Sequence, residues 1–246
     1  MSAGKTSFYE HNYQELEMLL ETHAINPKSA SLLFRHHYKE KKLSPCEHHN
    51  LSKAARLYVA ENFDFSLPEI DYVHESTDLT VKLLVKLKDD QKVECVLIPF
   101  QNKYTICLST QVGCAMKCSF CFTGTQGLKR NLETSEIIGQ FILAWNWLKE
   151  NRPDDHQLKN IVYMGQGEPL HNFSAVKKAS EIFLDQHGMS LGIQKITVST
   201  AGYLPGLKRW NEEMPGVNLA LSLHSVIEEK RNKPVSYTHL TLPTKA

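Results

Sequence analysis

The sequence has no apolar run of the roughly 18 residues that a membrane-spanning helix needs. The nearest candidate, residues 137–148, is interrupted by Gly139, Gln140 and Asn146. The N-terminus also lacks the apolar stretch of a secretory signal peptide. We therefore expect a cytoplasmic protein that does not associate with membranes.

An excess of charge of one sign is also missing, because 28 Lys and Arg residues nearly balance 27 Asp and Glu residues. Bulk charge therefore allows a nucleic-acid partner without indicating one. Hydrophobic residues make up 41% and charged residues 22% of the 246 positions, which argues against a disordered or fibrous chain. The length suits one large domain or two small ones, and we expect a monomer.

The first 66 residues have a helical pattern. Their apolar residues form three clusters with helical spacing, at 13–20, 32–34 and 51–63. Asn50 or Ser52 is suited to cap the last of these helices, and Leu67-Pro68 ends the pattern. We therefore expect a small helical N-terminal domain over residues 1–66.

A period of two replaces the helical spacing from about residue 69. This alternation predicts strands over 81–87 and 93–98, joined by a turn at 89–91 into a β-hairpin. A third strand is predicted over 104–109, directly before a cluster of cysteines.

Helical and strand patterns alternate after residue 110. A helix is expected to begin at Thr134 or Ser135, and a short helical turn to cover 204–210. The strands predicted in this region cover 160–164, 193–200 and 217–223. The alternating order predicts an α/β fold whose sheet, with the strand over 104–109, has about four parallel core strands joined by right-handed crossovers.

Four segments follow the carboxyl ends of these strands, where parallel α/β folds bind their ligands. They are the cysteine loop and residues 165–169, 199–202 and 222–224. We therefore expect these segments to meet at one site.

Cysteine is concentrated in one place. Four of the six cysteines lie within fifteen residues, which in a reducing compartment indicates metal binding or catalysis rather than disulfides. Cys114, Cys118 and Cys121 form a C-x3-C-x2-C pattern. Three thiolates would leave one iron of a 4Fe–4S cluster open to another ligand. A zinc site with a distant fourth ligand, or buried cysteines packed as small apolar groups, remains an alternative.

A set of motifs resembles one known family. The first motif begins at Cys107, includes the three clustered cysteines and continues through residues 124–140. The other matching motifs are Met164-Gly165-Gln166-Gly167-Glu168-Pro169-Leu170, Val198-Ser199-Thr200-Ala201-Gly202 and Leu221-Ser222-Leu223-His224. Together they resemble the radical S-adenosylmethionine (SAM) enzymes of the RlmN/Cfr family, which methylate adenine in RNA. The resemblance covers roughly residues 50–233.

The resemblance implies a fold, cofactors and partners. We expect a partial (β/α)6 radical SAM barrel over residues 67–233, preceded by the helical accessory or RNA-binding domain and the β-hairpin extension. The implied ligands are a 4Fe–4S cluster and SAM, with a reductant such as flavodoxin. The implied substrate is ribosomal RNA, with transfer RNA as an alternative. By resemblance, the cluster is held by Cys114, Cys118 and Cys121, and SAM by Gly167, Glu168, Ser199, Ser222, Leu223 and His224.

The chemistry implied by the family explains two further residues. Carbon 2 or carbon 8 of adenine is not a nucleophile, so the family transfers a methyl group through a C-terminal cysteine and a 5′-deoxyadenosyl radical. By resemblance, Glu94 is the general base and Cys107 the cysteine that helps to release the product through a transient disulfide. On the residues alone, Glu94 also suits an exposed strand position and Cys107 a buried one. We favour carbon 2 as the target.

The C-terminal end departs from the family. Residues 234–246 resemble a translated adapter, so we expect a non-native tail and a missing methyl-carrying cysteine. Neither Cys46 nor Cys95 matches that role, and we expect no turnover from the chain as it stands. The alternatives are carbon 8 methylation of the Cfr kind, another radical SAM reaction, and a non-catalytic iron–sulfur or zinc sensor that binds nucleic acid.

Overall fold

The computed structural model describes residues 4–40, 50–101, 103–153 and 157–226. The predicted non-native tail and Cys46 lie outside these ranges.

Strands dominate the middle of the chain. In order they are β1 (Thr6–Ser7), β2 (Phe63–Asp64), β3 (Glu69–Glu75), β4 (Val81–Lys86), β5 (Lys92–Phe100), β6 (Lys103–Cys107), β7 (Gln111–Val112), β8 (Arg130–Asn131), β9 (Leu158–Tyr163), β10 (Ile196–Thr200) and β11 (Asn218–Leu221).

Seven α-helices lie before, between and after these strands along the described part of the chain. They are α1 (Tyr13–Thr22), α2 (Ser29–Phe34), α3 (Lys53–Asn62), α4 (Phe122–Thr125), α5 (Thr134–Asn151), α6 (Phe173–Leu184) and α7 (Leu204–Glu213). In the described ranges, none is both long enough and apolar enough to cross a membrane.

Seven strands form one mixed sheet in the order β11-β10-β9-β6-β5-β4-β3. The strands β6, β9, β10 and β11 pair in parallel with one another, whereas β3, β4, β5 and β6 pair antiparallel in succession. The four parallel core strands and the α/β class predicted from the sequence are therefore confirmed. Because the parallel strands follow one another in sheet order, right-handed crossovers place α5, α6 and α7 on one face of the sheet.

That face carries the main hydrophobic core. Ile106, Ile161 and Val198 are fully or almost fully buried there and belong to the same cluster as Ile138 of α5 and Ile182 of α6. The opposite face is left open by the described residues. It carries the alternate strand positions, because successive side chains of a strand point to opposite sides.

The N-terminal helices pack against this core. Ser52 caps α3 as predicted, accepting a hydrogen bond from the Ala55 N–H at 3.2 Å. A carboxylate oxygen of Glu10 accepts a hydrogen bond from the Ser135 N–H at 2.6 Å, at the start of α5. The division into domains at residues 66 and 67 remains a prediction.

Three details differ from the sequence-based expectation. The strand β3 was not predicted, because a register shift between Ile70 and Tyr72 interrupts its alternation. Residues 193–195 form a 3-10 turn, so β10 begins only at Ile196. The expected short turn after residue 203 is a full helix, α7, with Pro205 in its first turn, where proline is tolerated.

Candidate functional site: the cysteine loop and the strand ends

The cysteine loop is held between two short strands. After β6, strand β7 pairs antiparallel with β8, and the residues between them carry the three cysteines and α4. Gly113 has a φ of +74°, and a Cβ at this position would lie 1.8 Å from the Gly127 carbonyl oxygen. The neighbouring Cys114 N–H donates to that same oxygen at 3.2 Å. Glycine is therefore required at position 113 for the loop to close directly before the first cysteine.

The predicted segments meet in one cavity of about 210 Å³ at the carboxyl ends of the parallel strands. The cysteine loop, residues 165–169, the end of β10 and the segment after β11 all contribute to its wall. The lining residues are Cys114, Met116, Cys118, Phe120, Cys121, Thr123, Tyr163, Met164, Gly165, Gly167, Glu168, Pro169, Ser199, Thr200, Ala201, Ser222 and His224.

The three cysteine thiols line this cavity without converging on a single point. In the described part of the chain, no group of three or more His, Cys, Asp or Glu side chains is placed to hold one metal ion. The five cysteines of that part are thiols rather than disulfides. Each of the three thiols would bind a different iron of a 4Fe–4S cluster, which leaves the fourth iron for another ligand.

Burial keeps Cys114 protonated while no metal is bound. Desolvation raises the pKa of its thiol to about 11, although the Met116 N–H donates to its Sγ at 3.4 Å. A positive cluster would offset this desolvation, because metal ligation deprotonates cysteine.

Gly167 and Glu168 link the cavity wall to β10. Glu168 is buried, and its carboxylate accepts hydrogen bonds from Thr200 Oγ1 (2.7 Å), the Ala201 N–H (2.8 Å) and the Leu170 N–H (3.1 Å). Burial raises the pKa of this carboxyl group, while those hydrogen bonds oppose the rise. A carboxylate offers about four acceptor positions, so one remains for a ligand ammonium group.

The other predicted SAM residues lie at the ends of β10 and β11. Ser199 is half-buried and, like Ser222, lines the cavity, and the Ser222 N–H donates to the Thr200 carbonyl oxygen at 2.9 Å. The His224 ring lies 4.7 Å from that of Phe120, measured between centroids. The Leu223 side chain is exposed and is not part of the cavity lining.

Glu94 and Cys107 lie on neighbouring strands outside this cavity. Val96 pairs with Cys107 across β5 and β6, and Glu94 is two residues from Val96, so Glu94 and Cys107 share the open face of the sheet. The Cys107 thiol is buried, which raises its pKa to about 11. The Glu94 carboxylate is partly exposed and lies 3.2 Å from Lys82 Nζ.

Three residues that hold Glu168 in place were not predicted individually. Thr200 and Ala201 hold Glu168, yet in the sequence they are marked only by their place at the end of a strand. Gln111 binds the Glu168 backbone across 57 residues, a separation that leaves no local pattern.

The chain belongs to the radical SAM superfamily, whose family model matches residues 108–239, more than half of its length. The curated "Dual-specificity RNA methyltransferase RlmN" of Rhizorhabdus wittichii is 40% identical over 238 residues, covering 94% of this chain and 59% of that protein. The "Probable dual-specificity RNA methyltransferase RlmN" of Dictyoglomus turgidum is 40% identical over 204 residues, covering 83% and 58%. Within the superfamily, the chain is a member of the RlmN/Cfr family of radical SAM methyltransferases.

A solved structure supports the same assignment. A radical SAM methyltransferase from Sphaerobacter thermophilus superposes with a TM-score of 0.83 at 33% identity, covering 94% of this chain and 67% of that one. The partial radical SAM fold predicted from the sequence is thereby confirmed. The family's cofactors are a 4Fe–4S cluster and SAM. The chain spans about 59% of the length of the curated relatives described above.

Proposed function

We propose that this chain carries the radical SAM core of an enzyme that methylates carbon 2 of an adenine in ribosomal RNA, with transfer RNA as an alternative substrate, and that the chain as it stands does not turn over. The observation that carries the proposal is the single cavity that joins the three cysteines, Gly167-Glu168 and the ends of β10 and β11. The names of the relatives, RNA methyltransferases of dual specificity, support RNA as the substrate class.

The reaction needs radical chemistry because carbon 2 of adenine cannot attack a sulfonium methyl group. A 4Fe–4S cluster bound here would supply the one-electron reduction of SAM that the family's radical chemistry requires. Cys114, Cys118 and Cys121 would hold the cluster through their thiolates. The free acceptor position of Glu168 would orient the SAM ammonium group, while Ser199, Ser222 and His224 complete the wall.

Glu94 and Cys107 are proposed to act on the adenine itself. Their shared open face adjoins the strand ends, so a base extruded from its stack could reach both. Glu94 is exposed enough to accept the ring proton as general base. Cys107 is proposed to lose its thiol proton and attack the sulfur of the family's methyl-carrying cysteine, a role that no described cysteine fills. The new disulfide forms as the bond between that sulfur and the transferred carbon breaks, and the electron pair of the broken bond stays with the modified base.

Two measurements test the proposal. Protein expressed from the intact gene and reconstituted without oxygen should, with dithionite, convert SAM to 5′-deoxyadenosine, and replacing Cys118 with Ala should abolish that conversion. Mass spectrometry of nucleosides from cells with and without the intact gene should show 2-methyladenosine in ribosomal RNA only when the gene is present.

The outcomes separate the alternatives. 8-Methyladenosine in place of 2-methyladenosine would indicate the Cfr-like reaction. A loaded cluster that never cleaves SAM would favour a nucleic-acid-binding sensor and contradict the proposal.

A further inference from the structure

The side chain of Gln111 joins the cysteine loop to the segment that is proposed to bind SAM. Gln111 is fully buried and lies three residues before Cys114. Its Oε1 accepts a hydrogen bond from the Glu168 N–H at 2.8 Å. Its Nε2 donates to Asn131 Oδ1 at 2.7 Å and to His171 Nδ1 at 2.9 Å. Both ends of the amide are therefore fixed, and the side chain has one possible orientation.

Gly167 packs directly on the same side chain. Its φ is +103°, and a Cβ there would lie 2.6 Å from Gln111 Cβ and 2.7 Å from Gln111 Cγ. The backbone of residues 166–168 is also held by the Thr110 and Gln111 N–H groups, which donate to the Gln166 carbonyl oxygen at 2.8 and 3.2 Å. The position of Gly167-Glu168 therefore follows the position of Gln111.

The connection continues from Glu168 to β10. Its carboxylate binds Thr200 and the Ala201 N–H, so an unbroken series of hydrogen bonds runs from Asn131 through Gln111 and Glu168 to the end of β10. The series joins strands β7 and β8, which flank the cysteine loop, to residues 167–168 and the end of β10. It fixes the distance between the cluster loop and the SAM-binding segment.

A second buried amide provides a contrast. Gln140 of α5 binds the Ser109 N–H and carbonyl at 2.9 and 3.1 Å and is also fully buried. Its side chain makes no hydrogen bond to residues 165–170 among those the structure gives it. Gln140 therefore acts on that segment only through Ser109, whose Oγ accepts the Gln166 N–H at 2.8 Å, and makes no bond of its own to Gly167 or Glu168.

We propose that Gln111 is a positioning residue that sets SAM affinity by holding the Glu168 backbone in register with the cluster loop. The inference rests on the proposed function for the identity of the ligand. Cluster assembly depends on the three cysteines, so loss of the Gln111 amide should weaken SAM binding and leave the iron content unchanged.

The test compares Gln111→Met with Gln140→Met, since each replaces a buried amide by an apolar side chain of similar length. Both proteins are reconstituted without oxygen, analysed for iron and sulfide, and titrated with SAM while the electron paramagnetic resonance (EPR) spectrum of the reduced cluster is recorded. The half-change concentration is the SAM concentration at which half of the change in the EPR spectrum has occurred. For Gln111→Met it should rise about tenfold or more, because the buried Glu168 N–H loses its acceptor. For Gln140→Met it should change less than threefold, although the protein melts at lower temperature. Equal shifts in both variants, or none in Gln111→Met, would overturn the proposal.

If the Gln111→Met protein does not fold, a milder variant and a measurement without cofactor test the same proposal. Asn131 is exposed, so Asn131→Ala should fold and raise the half-change concentration a few-fold by releasing one end of the amide. Amide hydrogen exchange of the Glu168 N–H in the metal-free chain should accelerate in Asn131→Ala, and unchanged exchange and affinity would count against the proposal. A wild-type EPR spectrum that does not respond to SAM would instead show that the proposed function is wrong, and the inference would fail with it.

Discussion

Replacing Gly167 with alanine tests how tightly the cavity wall is built. Two costs add in this variant. The φ of +103° disfavours any side chain by about 1–2 kcal/mol. The added methyl group would also lie 2.6 Å from Gln111 Cβ and 2.8 Å from the Gln111 backbone nitrogen, and overpacking of this kind costs about 1–3 kcal/mol. We expect the free energy of unfolding to fall by about 2–5 kcal/mol.

A matched variant separates the two costs. Gly127 also has a positive φ, +67°, but a Cβ there would have no neighbour within 4 Å. Gly127→Ala should therefore lose only the backbone part, about 1–2 kcal/mol. Urea unfolding of the metal-free chain, followed by circular dichroism, measures both. If Gly167→Ala were no less stable than Gly127→Ala, the close contact between Gly167 and Gln111 would be wrong.

Three further predictions concern other parts of the molecule. Cys118→Ala should abolish the iron–sulfur absorption of reconstituted protein, whereas Cys95→Ala, on the buried core face, should retain it; loss in both would contradict the ligand assignment. Because burial raises the pKa of the Cys107 thiol to about 11, its alkylation at pH 8 should be about 100-fold slower than that of an ordinary cysteine. The alkylation rate, followed by peptide mass spectrometry, should increase about tenfold per pH unit up to pH 10. A rate that stops increasing below pH 9 would contradict this prediction. Arg130 binds both oxygens of Glu136 at 2.8 Å, so Arg130→Met should lower the free energy of unfolding by about 1–3 kcal/mol, and an unchanged urea midpoint would show that the pair is fully screened.

Much of the fold could be predicted because the hydrophobic pattern is local. The alternation over 81–87 and 93–98 gave β4 and β5 to within two residues, and helical spacing gave the start of α5 at Thr134. The strand β3 was missed because its bulge breaks the period and because it pairs along one side only, at the edge of the sheet. Prediction from sequence depends on hydrophobic periodicity, and an irregular edge strand has little periodicity.

The candidate site also has a part that could be predicted from local sequence and a part that could not. Cysteine spacing and glycine-rich strand ends are visible in the sequence, so the segments around Cys114, Gly167 and Ser199 could be expected to meet. The amide of Gln111 could not be expected to join them, because its partners lie 20 to 60 residues away and a buried glutamine has no characteristic spacing. Such contacts are determined by tertiary packing, which the sequence pattern does not encode locally.

The most direct test of the account is the composition and spectroscopy of protein reconstituted without oxygen. The account predicts close to four irons and four sulfides per chain, and a reduced-cluster EPR spectrum that changes when SAM is added. One tetrahedral zinc per chain, or a cluster whose spectrum is indifferent to SAM, would contradict it.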